Sequence, residues 1–255
     1  MSKTVAILNQ KGGVGKTTTA VNLGAYLAKS GKTVLLVDLD PQGNATSGLG
    51  IDKQLLQETL YDALFSHGKA PKILQETAIQ GLEILPSNAN LAGAEVQLVS
   101  SLQRELQLRQ MLEQFNHDII LIDCPPSLGL LTINALSASD YVMIPVQTEY
   151  YALEGLGQLL SVITRVKEAI NPNLEILGVL LTMFDSRTSL SDQVMNEVKK
   201  HFSDKVFDTV IPRNVRLAEA PSFGEPISEH DKWSKGARAY KALSKEFINR
   251  VGGAK

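Results

Sequence analysis

Short apolar runs alternate along this chain with longer stretches in which apolar positions recur every three or four residues. The runs 5–8, 34–37, 82–85, 119–122, 141–144, 176–181 and 206–211 are rich in β-branched residues and read as strands. Several are apolar throughout, as expected of strands covered by helices on both faces. Helical spacing predicts helices over 16–29, 91–115, 153–169, 190–202 and 236–251. This alternation implies an α/β fold with a doubly wound, mostly parallel sheet flanked by helices. In such sheets ligands bind beyond the carboxyl ends of the strands. Residues 50–80 have mixed polarity and no period, and read as a surface excursion. No repeat or long linker divides the chain, so one domain is expected over 1–255, with 251–255 as a frayed tail.

Composition narrows the setting. No run approaches the length of a membrane span, and no signal peptide precedes the first strand. Cys124 is the only cysteine, so an intramolecular disulfide is excluded and a cytoplasmic location is expected. Net charge is −2, which argues against a wholly basic nucleic-acid binder. Residues 1–184 carry −5 and residues 185–255 carry +3, which permits a local basic patch.

Candidate chemistry sits at the strand ends. Lys11-Gly12-Gly13-Val14-Gly15-Lys16-Thr17-Thr18 joins the first strand to the first helix. A glycine-rich turn there lets backbone N–H groups cradle a phosphate chain. Lys16 can reach the terminal phosphates, and the Thr17 hydroxyl can ligate Mg²⁺. The loop is altered: Gln10 stands where such loops usually begin with glycine, and Lys11 adds a second lysine. The second strand ends in Asp38-Leu39-Asp40-Pro41-Gln42-Gly43-Asn44, which sends two carboxylates toward the same end of the sheet. Asp40 can orient an attacking water, or sense the γ-phosphate through Mg²⁺ and its waters; turn chemistry alone also accounts for both aspartates. Ile119-Ile120-Leu121-Ile122-Asp123 is an apolar strand ending in a carboxylate suited to Mg²⁺, directly or through water. Pro125 and Pro126 stiffen the exit of that strand, while Cys124 reads as packing. No guanine-selecting Asn-Lys-x-Asp stretch occurs, which favours adenine.

With these motifs the chain resembles the deviant Walker A ATPases of the MinD/ParA superfamily, and within it the ParA/Soj-type chromosome and plasmid partition ATPases. The likeness extends through residues 145–155, 181–185 and 211–222, and so covers nearly the whole chain. The chain looks like the short class without an N-terminal DNA-binding extension.

The resemblance implies an ATPase that uses ATP and Mg²⁺ and whose ATP-bound form is a face-to-face homodimer. Lys11 would cross to the partner subunit's nucleotide, much as an arginine finger does; an ordinary contact to the subunit's own phosphates is the alternative. Gly12 would lie where the two loops meet. The dimer would bind double-stranded DNA without sequence preference through Arg187 and Arg216, with Lys199, Lys200, Lys232 and Lys235 as possible additions. Each lysine also reads as a solvated side chain, and Arg216 as an ion-pair partner of Glu219. Met183, Pro212 and Asn214 would hold the adenine, although simple turn chemistry also explains residues 212–214. A ParB-like centromere-binding protein would stimulate weak intrinsic hydrolysis and release the dimer from the nucleoid.

Two alternatives remain. A MinD-like membrane-cycling ATPase would use the stripe Leu243, Phe247 and Val251 as a lipid anchor; packing on the sheet is the other reading of that stripe, and no stable membrane association is expected. A metabolic ligase or synthetase would need a small-molecule pocket that the sequence does not reveal. One cysteine per subunit does not supply the ligands of a bridging iron–sulfur cluster.

Overall fold

In chain order, the computed structural model contains β1 (Lys3–Ile7), α1 (Lys16–Lys29), β2 (Val34–Asp38), α2 (Asn44–Gly48), α3 (Leu60–Phe65), α4 (Ala70–Ile73), β3 (Gln75–Glu76) and β4 (Leu82–Leu85). There follow α5 (Ala94–Val99), α6 (Gln107–Leu112), β5 (Ile119–Asp123), α7 (Leu130–Ala138), β6 (Tyr141–Gln147) and α8 (Leu156–Ala169). The remainder is β7 (Glu175–Thr182), α9 (Ser189–Phe202), α10 (Val215–Glu219), α11 (Ile227–His230) and α12 (Lys235–Val251). The structure describes residues 2–149 and 155–253. The expected helix start at Leu153, the 150–154 part of the family-like segment and the last two tail residues lie outside the described residues.

The seven strands form one sheet in the order β3-β4-β2-β5-β1-β6-β7. Only the short edge pair β3–β4 is antiparallel. Successive residues of a strand face opposite sides, and the core divides accordingly. Leu35, Val37, Ile120 and Ile122 pack beneath α5–α9 and the 60–73 segment. Val34, Leu36, Ile119 and Leu121 pack beneath α1 and α12. Burial on both faces explains why these strands are apolar at every position.

Four expectations are corrected. Residues 206–211 form no strand; only Val206 and Pro212 bridge to the β7 side. The Phe207 and Ile211 amides do bond to Val179 and Leu181 of β7, but the Asp208 and Thr209 amides between them donate to the Glu246 carboxylate of α12, each at 2.9 Å. That carboxylate takes the ladder's place. The single helix expected over 91–115 is broken into a 3₁₀ turn, α5 and α6. Asn134 of α7 enters the break, donating to the Arg104 carbonyl and accepting from the Leu108 amide. Residues 50–80 are more than a surface excursion, because Leu60, Ala63, Leu64 and Ala70 are fully buried in the core. Helix α7 has no counterpart among the expected helices. It is apolar nearly all round, and its N-terminal amides are capped by Glu95, whose carboxylate accepts from Leu130 and Leu131.

Candidate nucleotide site

The turn between β1 and α1 is held open by contacts its own sequence dictates. Asn9 donates to the Pro145 carbonyl at 2.7 Å and accepts the Lys11 amide at 2.9 Å, fixing the loop's first half. Gly15 adopts φ 87°, a left-handed conformation that disfavours any side chain. Its carbonyl accepts the Thr19 amide and starts α1. From across the site, the Thr182 hydroxyl at the end of β7 donates to the Val14 carbonyl at 2.8 Å.

Lys16 is 7% exposed, and its ammonium folds back onto the Lys11 carbonyl at 3.2 Å. Burial holds it below the usual lysine range, while Asp123, Cys124 and Asp40 pull the other way. Lys11 behaves differently: its ammonium lies outside the loop, 3.9 Å from the Glu149 carboxylate. Glu149 also faces Arg213 at 3.4 Å. A Cβ on Gly12 would meet nothing within 4 Å among the described residues.

Three aspartates converge beside the loop and have three different fates. Strand register sets Asp38 and Ile7 on either side of Asp123 at the carboxyl ends of β2, β1 and β5. Asp38 is fully buried and spent on structure. Its carboxylate accepts the amide and hydroxyl of Thr46 and the amide of Asp40, pinning α2. Burial pushes it up to about 6 despite those bonds. Asp40 accepts the Gln42 amide with one oxygen, within a turn closed by the Gly43 amide on its carbonyl. That turn needs glycine, because a Cβ on Gly43 would fall 2.7 Å from the Ser87 carbonyl oxygen. Asp123 is fully buried, and neither oxygen has a hydrogen-bond partner among the described residues. Burial, then the Asp38 charge, hold it well above the carboxylate range; the nearby Thr17 hydroxyl and Lys16 act against them. A buried orphan carboxylate beside a threonine hydroxyl is a donor pair that fits Mg²⁺. Among the described residues no group of three His, Cys, Asp or Glu side chains is arranged to hold a metal, so an ion here would lean on phosphate oxygens and water as well.

Beyond Gly15 opens a cavity of about 220 Å³ lined by Met183, Ile211, Pro212, Asn214, Leu217 and Tyr240. The three residues expected to hold a base are therefore brought together. Asn214 caps α10 by accepting the Leu217 amide. Tyr240, buried on α12, meets the Thr19 hydroxyl at 3.2 Å. Thr182, Glu149, Arg213 and Tyr240 were not singled out from the sequence. Thr182, Glu149 and Arg213 lie in family-like segments and could have been found there; Tyr240 carries no local mark.

The basic residues expected to touch DNA are exposed, and several already have carboxylate partners. Arg187 makes a two-pronged pair with Asp185 at 2.9 and 2.7 Å, and Lys200 meets Glu197 at 2.9 Å. Arg216 does pair with Glu219, at 2.9 Å, and lies 3.6 Å from Asp231. Lys199, Lys232 and Lys235 are exposed. The stripe considered as a lipid anchor is occupied, since Leu243 and Phe247 are fully buried and Val251 packs against the same core. Among the described residues no helix is long and apolar enough to cross a membrane.

A mostly parallel sheet with a glycine-rich loop after its first strand, a lysine in the helix behind it and an orphan carboxylate at the end of the adjoining strand defines a P-loop nucleoside triphosphatase. A family described as an AAA domain matches residues 2–176. The sporulation initiation inhibitor protein Soj of Bacillus subtilis is 59% identical over 96% of this chain and 98% of its own length. The chromosome partitioning protein ParA of Myxococcus xanthus is 51% identical, covering 98% and 89%. Among solved structures, cobyrinic acid a,c-diamide synthase from Mycobacterium smegmatis, with bound ATP analog and magnesium, superposes with TM-score 0.89 and 37% identity over 100% of this chain and 98% of that one. The chain belongs to the Soj/ParA family of chromosome-partitioning ATPases.

Proposed function

We propose that residues 1–255 form one ATPase domain that binds ATP with Mg²⁺, pairs with a second copy of itself, and in that state binds double-stranded DNA without sequence preference. The observation that carries the reading is the convergence of Lys16, Thr17, Asp40 and the orphan carboxylate of Asp123 at the carboxyl ends of three adjoining strands.

Backbone N–H groups of residues 12–18 cradle the phosphates, and Lys16 exchanges the Lys11 carbonyl for phosphate oxygens. Thr17 and Asp123 would hold the magnesium ion, with Asp40 acting on it through water, and the ion would supply positive charge against the triphosphate. Asp40, held in its turn by the Gln42 amide, orients the attacking water. The adenine occupies the cavity of Met183, Pro212 and Asn214. Lys11 leaves Glu149 to neutralise the partner subunit's phosphates. Gly12 lies where the two subunits meet, and the open space beside it supports that position.

Arg187 and Arg216 carry the DNA contact, with Lys199, Lys200, Lys232 and Lys235 adding charge. Pooling two such surfaces explains how a chain of net charge −2 binds DNA as a dimer and not as a single subunit. A ParB-like centromere-binding protein stimulates hydrolysis and returns the ATPase from the nucleoid to the cytoplasm. Identity of 59% to a Soj protein supports this reading over an amide synthase, whose likeness is 37%. Burial of Leu243 and Phe247 supports it over a membrane-cycling ATPase.

The deciding experiment sizes the protein with ATP, ADP or no nucleotide, with and without duplex DNA, at two salt concentrations. The expected result is a dimer with ATP alone, DNA-bound at low salt and released at high salt. A protein that stays a single subunit with saturating Mg-ATP, even when hydrolysis is blocked, overturns the proposal.

A further inference from the structure

The chain has a single tryptophan, and it is in the wrong place for a core residue. Trp233 is 79% exposed, on the turn between α11 and α12. Leaving a large aromatic ring in water forgoes one of the largest burial gains available to a side chain. The turn that presents it is nevertheless firmly built. Asp231 accepts the Trp233 amide with its side chain at 3.1 Å and the Ser234 amide with its carbonyl at 3.2 Å. Ser234 then caps α12 by accepting the Ala237 amide at 3.0 Å. The indole is therefore carried on an anchored support.

Its surroundings are basic. The Lys232 ammonium sits 5.4 Å from the indole centroid. Residues 232–241 contain Lys232, Lys235, Arg238 and Lys241 and no carboxylate. Asp231, which orders the turn, also lies 3.6 Å from Arg216, so the indole and that arginine share one anchor. Phe223, 67% exposed, lies tilted against His230 with ring centroids 4.8 Å apart, next in sequence to the same aspartate. Phosphate contacts alone require none of these aromatic side chains. An exposed, anchored ring set among cations is the arrangement that receives an unpaired base while the cations take the flanking phosphates. A bilayer is the poorer match. The apolar face of α12, through Tyr240, Leu243 and Phe247, is at most 1% exposed, leaving no helix face to lie among lipids.

We propose that Trp233 is a stacking platform for an unpaired nucleobase, so that this surface binds single-stranded DNA in addition to the duplex. The proposal rests on the DNA reading given above and adds a base-dependent contact to it. Duplex DNA, whose bases are already stacked, engages the cations and leaves the indole free.

The lone tryptophan supplies its own signal. With Mg-ATP present, its fluorescence is titrated with a short oligothymidylate, with an abasic strand of equal length and phosphate count, with duplex DNA and with anionic vesicles. Oligothymidylate is expected to quench the indole strongly, and the abasic strand and duplex only weakly. With end-labelled strands, Trp233→Ala weakens oligothymidylate binding roughly five- to a hundredfold. Trp233→Phe recovers part of that loss, and duplex affinity is nearly unchanged in both variants. Equal quenching by the abasic strand, or undiminished binding of oligothymidylate by Trp233→Ala, overturns the stacking while leaving the duplex reading intact. A blue shift on vesicles without quenching by oligothymidylate overturns it in favour of a lipid contact. If wild-type protein binds neither strand nor duplex, the DNA reading itself fails and the proposal falls with it.

Discussion

The nucleotide end of the sheet and the basic side chains of the C-terminal third hold their charges in opposite ways. At the sheet, Asp123 is buried with no hydrogen-bond partner among the described residues, and Lys16 is buried against a carbonyl of its own loop. On the surface, Arg187, Arg216 and Lys200 are exposed and already joined to Asp185, Glu219 and Glu197. The first arrangement is costly until a ligand completes it, because a buried polar group without a partner loses its hydration for nothing. The second is nearly neutral, because exposed pairs contribute little and dissolve easily. On the reading proposed above, one region completes its buried charges with a ligand, while the other gives up carboxylates before it takes phosphates. Arg187 makes the point plainly, as its side chain is 82% exposed while both prongs of its guanidinium are engaged by Asp185.

This contrast can be broken at its strong end first. Lys16→Ala is expected to lower nucleotide affinity by about 100-fold or more, since it removes charge-assisted bonds from a water-poor site; titration with a fluorescent ATP analogue measures it. Asp40→Ala should slow hydrolysis by about 100-fold or more yet leave the ATP dimer on DNA, read by phosphate release and sizing. Hydrolysis at the wild-type rate would remove Asp40 from its assigned role. Gly12→Val tests the empty space beside the loop. Among the described residues nothing lies within 4 Å of a Cβ built there, so folding and nucleotide binding should persist while the ATP dimer is lost.

The weak end is sharpened by a matched pair. Arg216→Ala should reduce duplex affinity several-fold, lower the salt slope by about 1 and leave nucleotide binding untouched. Glu219→Gln should do the reverse and raise duplex affinity a few-fold, by freeing the same arginine. Its thermal unfolding should change by less than about 1 kcal/mol, because the lost pair is exposed. If Glu219→Gln leaves DNA affinity unchanged, carboxylate surrender is not part of binding.

Legibility from sequence follows the same division. The phosphate loop could be read because its backbone demands particular residues: Gly15 and Gly43 occupy conformations or clearances that few others tolerate. Strands β2 and β5 could be read because burial on both faces makes every position ahead of their terminal aspartates apolar. What escaped depends on side chains arriving from elsewhere. Glu246 silences the ladder at 208–209, Asn134 divides 91–115, and Glu95 starts α7 from 35 residues away. None of these leaves a local periodicity. The two roles of the aspartates at and beyond the end of β2 also separate only in three dimensions: Asp38 meets Thr46 eight residues on, while Asp40 lies near the Lys16 charge.

The last helix has a practical bearing. Tyr240 of α12 lines the cavity proposed for the base, and Glu246 of the same helix clamps the amides just ahead of Ile211 and Pro212 on its wall. The C-terminal segment is therefore part of the wall of the cavity proposed for the base. A reporter fused there, or a trimming that loosens those last turns, would register as altered ATP handling long before it touched any phosphate-binding residue.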